Sequence, residues 1–293
     1  MRSITHGKVS SIVGGHPWKS AKLLNNYLIV LRGIFAVASR DLKIENAMDG
    51  VNNQRHQAKG PDPLQADETA AILDHMRQRY DMRVFAYFLF AFTTGMRPEE
   101  IIGLRWQDID WNLRQARIER AKTAGEIKPL KTYVIRDVDL VPAAMGALNL
   151  MKTHTFMKGE EAEVFQNPVT GKSWHDERSQ RDHYWKPTLR KLGIRARKAY
   201  QARHTYATRA LMAGVAPAYI ARQLGHKNTQ MLFRVYAKWI DGADGGNEKR
   251  RLEAASISPV FLREPSELVA SEGQIGRRDW TRTNDPHHVK VVL

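Results

Sequence analysis

Apolar residues recur every three or four positions along most of this chain, which places them on one face of an α-helix. The first such stretch lies within residues 19–51, and others follow at residues 67–76, 143–151, 184–192, 201–213, 217–224 and 229–240. Residues 84–92 are almost all apolar and predict a buried helix that ends at Gly95. The pattern therefore predicts a protein that is mainly helical.

Three short segments instead carry the alternating or β-branched residues typical of strands, with turn signals between them. They are residues 106–111, 116–119 and 133–140, and they predict a small antiparallel sheet. The predicted fold class is mixed and mainly α: a helical N-terminal part, then an α/β part that is mostly helical with a small antiparallel sheet.

The domain organisation follows from where these patterns stop. Residues 50–63 are polar and contain two glycines and two prolines, which predicts a linker. Helical periodicity fades after residue 241, and the last residues mix charges with glycine and proline. We predict a helical domain at residues 1–59, a larger domain at residues 60–262 and a flexible tail at residues 263–293.

The charge of the chain points to its partner. The formal net charge is +15. Residues 1–59 hold nine basic and three acidic residues, whereas residues 263–293 hold five of each, so the excess is not a basic tail. A basic body of this kind favours a polyanionic partner such as nucleic acid.

Composition also excludes several classes of protein. There is no cysteine, which removes disulfides, thiol nucleophiles and thiolate metal sites. No uninterrupted apolar run approaches the roughly 20 residues that span a bilayer, and the first 18 residues lack a signal-peptide pattern. We therefore expect a soluble cytoplasmic protein with no membrane partner and no cofactor.

Two arginines occupy positions suited to binding an anion. Arg97 lies at a corner, between the helix that Gly95 ends and a helix that Pro98 starts. Arg203 lies three residues after Tyr200, so both project from one face of a helix start. A guanidinium can hold two phosphate oxygens and keeps its charge. For each arginine taken alone, an ion pair with a nearby carboxylate is the alternative interpretation.

A histidine and a tyrosine complete the candidate set. His226 follows Gly225 at a predicted helix end, where it could donate to a phosphoryl oxygen or simply favour the helix dipole. Tyr236 belongs to an aromatic stripe at helical spacing, which on its own favours a core position. His204, next to Arg203, is assigned to packing or helix capping.

Together these residue types explain a particular chemistry. A phenol ionises near pH ~10 and attacks a phosphodiester poorly unless cations draw charge from the phosphorus. Two arginines supply that field without a metal. The departing 5′ oxygen also needs a proton, which calls for a lysine.

These residues lie in segments that resemble the tyrosine recombinase (phage integrase) family. Residues 93–110, around Arg97, resemble the first arginine box of the family. Residues 200–208, 224–226 and 234–236 resemble the second box, and the similarity covers roughly residues 60–240. Residues 19–51 resemble the later part of the helical core-binding domain.

The resemblance implies a role for each residue. Arg97 and Arg203 would grip the scissile phosphate, His226 would assist the phosphoryl group and Tyr236 would be the nucleophile. The lysine would be Lys131, with Lys122 as the lesser candidate. The implied activity is site-specific DNA cleavage and rejoining through a 3′-phosphotyrosyl intermediate.

The implied partners are double-stranded DNA, held by a homotetramer on two duplexes, and an accessory DNA-bending or directionality factor. Two features depart from the family pattern. Tyr200 stands where histidine is common, so it could hydrogen-bond the phosphate but could not act as a base near neutral pH. The N-terminal domain also looks short.

Two alternatives remain open at this point. One is a catalytically impaired DNA-binding remnant of a mobile-element integrase. The other is a metal-dependent nuclease using His175, Asp176, Asp182 and His183.

Overall fold

The computed structural model describes residues 4–57, 60–130, 134–226 and 228–244. The helices are α1 (His6–Gly15), α2 (Ala21–Leu42), α3 (Ala66–Arg79), α4 (Met82–Thr94), α5 (Pro98–Ile102), α6 (Pro142–Thr155), α7 (Arg178–Gln180), α8 (Lys186–Lys191), α9 (Gln201–Met212), α10 (Pro217–Leu224) and α11 (Thr229–Asp244). The strands are β1 (Ile109–Asp110), β2 (Gln115–Ile118), β3 (Arg120–Thr123), β4 (Glu126–Pro129) and β5 (Arg136–Asp139). The predicted fold class, mainly helical with small antiparallel sheets, is confirmed.

The N-terminal helices α1 and α2 share an apolar cluster of their own. One face of α2 buries Leu24, Leu28 and Phe35 in this cluster. The segment after α2 returns along it, and the Asn25 side chain exchanges two hydrogen bonds of 2.9 Å with the backbone of Gln54. The predicted helix within residues 19–51 is therefore real but ends at Leu42.

Helix α2 also has the length and composition of a membrane-spanning helix. It has 22 residues and a mean hydropathy of 1.3, and only 22% of its apolar window is buried. The prediction had considered only uninterrupted apolar runs, which this helix breaks with Arg32 and two asparagines. Arg32 donates to the carbonyl of Val51 and to the side chain of Asn53, so this charged side chain is held by the segment that follows the helix.

The core of the larger part of the chain surrounds α4. This helix begins where the Asp81 side chain accepts a hydrogen bond from the Arg83 backbone, and it ends at Gly95 in the left-handed conformation (φ +62°). It packs against α3, α6 and α9. The ring of Phe88 stacks on Trp185 at 5.6 Å between ring centres. The predicted buried helix at residues 84–92 is thus the centre of the core.

Two antiparallel sheets cover one side of this core. Strands β1, β2 and β5 form the first sheet, in which Ala116 pairs with both Ile109 and Val138. Strands β3 and β4 form a separate hairpin. The prediction located the first sheet but extended its outer strands too far, because Trp106–Asp108 is a 3-10 turn. The hairpin was missed because its strand β4 is entirely exposed and shows no apolar alternation.

A second cluster of apolar side chains joins the last three helices, α9, α10 and α11. It contains Ala207, Leu211, Ile220, Ala221, Leu224, Leu232 and Tyr236. The predicted helices at residues 201–213, 217–224 and 229–240 all exist, the last continuing to Asp244. The predicted tail at residues 263–293 lies outside the described residues, and the two boundaries between the three predicted segments stay predictions.

Candidate active site

Arg97 is held at the corner between α4 and α5 by a buried carboxylate. Glu100 accepts a hydrogen bond from the Arg97 backbone N–H at 2.9 Å and from its Nη1 at 2.8 Å. Arg97 therefore forms the ion pair with a neighbouring glutamate that the alternative interpretation predicted. Yet Glu100 is only 3% exposed, so the pair fixes the guanidinium. Within the part of the chain that the structure describes, Arg97 Nε and Nη2 make no hydrogen bond, which leaves donors for a ligand.

The same carboxylate binds a second arginine, Arg136, at the start of β5. Two hydrogen bonds, 3.1 and 2.7 Å long, join its guanidinium to Glu100, and Nε donates to the carbonyl of Gln223 at 2.9 Å. Burial alone would raise the pKa of Glu100, but Arg136 and the neighbouring guanidinium groups outweigh it and lower that pKa. Glu100 therefore stays ionised between two cations and connects α5, β5 and α10.

Arg203 is buried and points between the ends of two helices. Its Nη1 donates to the carbonyl of Gly95 at 2.8 Å and its Nη2 to the carbonyl of Leu224 at 2.6 Å. Arg97 Nη1 approaches the same Leu224 carbonyl at 3.5 Å. Burial lowers the pKa of Arg203 to about 10, so it remains a cation at neutral pH. Its hydrogen bonds go to carbonyls rather than to a carboxylate, contrary to the ion-pair alternative.

His226 faces these guanidinium groups as a neutral ring. Burial, followed by the charges of Arg203, Arg97 and Arg136, lowers its pKa to about 4. Its Nδ1 is buried and has no hydrogen-bond partner among the described residues. A neutral ring gains little from a helix dipole, so the interpretation as a cation at the end of α10 is disfavoured.

Tyr236, on α11, is packed as the core interpretation predicted. Its side chain is 1% exposed within the cluster of α9, α10 and α11. The hydroxyl bonds His204, the residue that follows Arg203 on α9. Burial raises the pKa of Tyr236, and Arg203 opposes that rise. The phenol is thus closed to solvent in this conformation.

His204, assigned to packing or helix capping, packs against the ring of Tyr236 and also bonds its hydroxyl. Its Nδ1 lies 2.6 Å from the hydroxyl of Tyr236, a hydrogen bond between α9 and α11. Neighbouring helix residues diverge by about 100°, so His204 points toward α11 while Arg203 points toward the pocket. Its place directly after Arg203 was the sequence signal that could have marked it.

Tyr200 stands at the start of α9, at the outer end of a row of rings. It is 37% exposed, and its ring lies 5.3 Å from that of His204. Beyond His204 the row continues to Tyr236 at 5.6 Å and then to Trp239 at 6.0 Å. The structure therefore places Tyr200 near the phenol, at the side of the row that meets solvent.

Of the two candidate lysines, the structure describes only Lys122. Lys122, on β3, is buried; its ammonium lies 3.0 Å from a carboxylate oxygen of Glu163 and also contacts Ser173. Burial would raise the pKa of Glu163, but its hydrogen bond with Lys122 lowers it, so both partners are charged. Lys122 is thus engaged in holding the hairpin. Lys131 lies outside the described residues.

The residues of the metal-dependent alternative do not assemble. Among the described residues no group of three or more histidines and carboxylates could hold a metal ion. Asp182 is paired with Arg181 at 2.7 Å and Lys186 at 2.8 Å. His175 contacts Asp176 at 3.4 Å, and Asp176 also pairs with Arg178 at 3.2 Å.

The described residues therefore bring three guanidinium groups and a neutral imidazole together, and the Tyr236 phenol is hydrogen-bonded to His204, the residue after Arg203. Such a site can hold a phosphate and place a nucleophile beside it. A comparison with known families agrees: the pattern of the phage integrase family matches residues 63–241. The chain belongs to this family, the tyrosine recombinases.

Two curated relatives come from Escherichia coli (strain K12). IntQ, described as a defective protein, is 29% identical over 259 residues, which cover 79% of this chain and 63% of the relative. The prophage integrase IntR is 27% identical over 246 residues, covering 76% of this chain and 59% of the relative. The chain thus spans about three-fifths of the length of these two relatives.

Solved structures share the fold at low sequence identity. The Tn1549 transposon integrase in complex with transposon right end DNA has a TM-score of 0.66 and 19% identity, covering 80% of this chain and 81% of that one. A lambda integrase tetramer bound to a Holliday junction has a TM-score of 0.63 and 16% identity, covering 78% and 66%.

Proposed function

We propose that this protein is a site-specific DNA recombinase that cleaves and rejoins DNA through a 3′-phosphotyrosyl intermediate. The observation that carries the proposal is a set of contacts: Arg97 and Arg203 both approach the carbonyl of Leu224, and the Tyr236 hydroxyl bonds His204, the residue after Arg203. These side chains come from α5, α9 and α11, so the fold rather than the local sequence brings them together.

The pocket supports binding of the scissile phosphate. The unpaired nitrogens of Arg97 and the cation of Arg203 would take its non-bridging oxygens, and His226 would donate to a third position. These cations withdraw charge from the phosphorus as the trigonal-bipyramidal transition state forms. Tyr236 then attacks, and a lysine, for which we propose Lys131, protonates the departing 5′ oxygen.

The buried phenol adds a condition to this proposal. A phosphorus atom cannot reach a side chain that is 1% exposed, so α11 has to shift relative to α9 and α10 when DNA binds. The apolar cluster of α9, α10 and α11 opposes that shift. We place this rearrangement on the pathway to cleavage.

The proposed partners follow from charge and from the fold. The excess of basic residues favours duplex DNA held through its phosphates, with an affinity that falls as salt rises. Relatives of this fold include a tetramer on a Holliday junction. We propose a homotetramer on two duplexes in the cytoplasm, near the nucleoid, with an accessory DNA-bending or directionality factor.

A second candidate function is a DNA-binding remnant without cleavage activity. It is favoured by the closed position of Tyr236 and by the similarity to IntQ, a protein described as defective. In that case the arginine pocket would still bind DNA phosphates, but no covalent intermediate would form.

A nicked suicide substrate separates the two functions. Cleavage next to a nick releases a short fragment, so the active enzyme stays covalently attached to DNA and migrates as an adduct on a denaturing gel. We expect an adduct for the wild-type protein and none for Tyr236→Phe. Tyr80→Phe, a matched loss of one phenolic hydroxyl away from the site, should behave like the wild type.

The contrary outcome is also definite. Duplex binding without any adduct, across candidate sites flanking the gene, would establish the remnant and refute the recombinase. Cleavage that a chelator abolishes would refute both and return attention to a metal-dependent nuclease.

A further inference from the structure

The hydrogen bond between His204 and Tyr236 is the one polar contact that the described structure shows for the proposed nucleophile. Its length, 2.6 Å, is at the short end for a hydroxyl and a ring nitrogen. The contact joins the residue that follows Arg203 on α9 to the middle of α11. His204, which follows the proposed phosphate-binding residue Arg203, is therefore hydrogen-bonded to the Tyr236 oxygen that has to lose its proton.

The charge of the ring decides which partner donates. Burial, followed by the charge of Arg203, lowers the pKa of His204 to about 4. At neutral pH the imidazole is therefore uncharged, with one bare nitrogen and one N–H. Burial meanwhile raises the pKa of Tyr236, so the phenol keeps its proton at rest. In the tautomer with the proton on Nε2, which the proposal below requires, the hydroxyl donates and Nδ1 of His204 accepts.

The other groups around the phenol cannot take its proton. Arg203 is a cation and Tyr200 is itself a phenol, while His226 faces the guanidinium groups. No carboxylate hydrogen-bonds the Tyr236 hydroxyl in the described part of the chain. In the family pattern, histidine is common three residues before Arg203. Tyr200 occupies that position here, so the phenolic proton needs another acceptor.

We propose that His204 is a catalytic residue that accepts the phenolic proton as Tyr236 attacks the phosphorus. In this step the O–H bond of Tyr236 breaks and its proton moves to Nδ1 of His204. The freed oxygen pair forms the O–P bond, the bond from phosphorus to the 5′ oxygen breaks, and that oxygen takes a proton from the general acid. The inference rests on the proposed function.

The lowered basicity of His204 makes the transfer conditional on DNA. A protonated ring beside Arg203 places two positive charges close together, which is unfavourable in the free protein. A bound phosphodiester, whose negative charge grows in the transition state, offsets that repulsion. The same imidazolium can return its proton to Tyr236 when the free 5′ hydroxyl reverses the reaction and rejoins the strand.

A sulfur-substituted substrate tests the role of His204 directly. In a suicide duplex with a 5′-bridging phosphorothiolate, the leaving group is a thiol, which ionises near pH ~8.5 and needs no general acid. The variants are His204→Asn, which keeps a hydrogen-bonding group but cannot be protonated, and Lys131→Ala. His183→Asn is the matched histidine control, since His183 is exposed and far from the arginines in the chain.

We expect His204→Asn to lower the cleavage rate about 100-fold or more on the normal duplex, the usual effect of losing a general base. Its DNA affinity should match the wild type. The phosphorothiolate should restore cleavage by Lys131→Ala but not by His204→Asn. His183→Asn should cleave both substrates at the wild-type rate.

Two outcomes would overturn the inference while leaving the recombinase proposal intact. One is wild-type cleavage by His204→Asn; the other is rescue of that variant by the phosphorothiolate, which would assign His204 to the leaving group. Absence of an adduct with wild-type protein would instead refute the proposed function itself.

A measurement on the wild-type protein covers the case in which the variant does not fold. Long-range ¹H–¹⁵N correlation spectra of histidine-labelled protein report which ring nitrogen carries the proton. At neutral pH we expect a bare Nδ1 and a protonated Nε2 for His204. A proton on Nδ1 would leave no acceptor facing Tyr236 and would overturn the inference.

Discussion

The two halves of the candidate site are secured in different ways. On the phosphate-binding side, Arg97 and Arg136 share a buried carboxylate, and Arg203 donates to two carbonyls at helix ends. On the side of the proposed nucleophile, the described residues give Tyr236 one polar contact, with His204, and α11 packs mainly on α9 and α10. The charges are thus built into the main fold, whereas the nucleophile lies on a helix attached to its edge.

This difference suggests a division of labour. A cationic pocket works best when its charges are fixed before the substrate arrives, because no energy is then spent on reorienting them. A closed nucleophile, by contrast, protects DNA from cleavage until the complex is assembled. Substitutions on one side of the site can be tested for their effect on the other side.

The largest effect is expected on the phosphate-binding side. Arg136→Met would leave the Glu100 carboxylate buried with only Arg97 as a partner, and breaking a buried pair this way costs about 3–5 kcal/mol. Urea unfolding should show a loss of that order in the free energy of unfolding. Arg77→Met, which removes an exposed pair with Asp74, should change it by less than about 1 kcal/mol. Equal losses in both variants would mean that the Glu100 pair is no anchor.

Arg203→Lys should affect catalysis more than binding. Lysine keeps the charge but cannot reach both the Gly95 and Leu224 carbonyls while facing a phosphate. We expect adduct formation on the suicide substrate to slow by about 100-fold to 1,000-fold, the cost of losing one well-placed donor. Arg209→Lys, on the exposed face of the same helix, is the control. An undiminished rate for Arg203→Lys would remove this residue from the site.

The smallest effect concerns pH and the nucleophile side. The pKa of His204 is about 4 in the folded protein against 6.5 for the free side chain, so between these values the unfolded chain binds the extra proton. Stability should therefore fall as pH drops from about 6.5 toward about 4. The pKa of His226 is also lowered, to about 4, so His226 contributes to the same loss of stability at low pH. Replacing His204 by asparagine should flatten part of that fall, measured as unfolding free energies at about pH 7 and about pH 5. A parallel pH dependence in both proteins would contradict the shifted pKa.

Much of the site was visible in the sequence because its residues lie in short boxes with strong local signals. Gly95 and Pro98 mark the ends of two helices, so they define the corner that carries Arg97. Gly225 marks the end of α10 in the same way and so defines the place of His226. These predictions depend on backbone geometry that one or two residues determine.

The remaining contacts depend on packing between distant segments. The pair of Glu100 and Arg136 joins residues that are 36 apart, and a charged pair with almost no exposure runs against the usual preference for surface positions. The bond between His204 and Tyr236 likewise requires the relative rotation of α9 and α11, which no periodicity determines. The hairpin β3–β4 escaped notice because its strands are only four residues long and β4 is exposed throughout, so no buried apolar face marks it.

The absence of a side chain at position 225 has a further consequence. A methyl group there would sit 2.7 Å from the Arg136 guanidinium, and the backbone already has a φ of +66°. Any larger residue would push that guanidinium off Glu100, and the disturbance would pass to the Arg97 corner. A library that randomises both positions would test this. We expect non-glycine residues at 225 to survive only together with a shorter side chain at 136, so that the two positions covary.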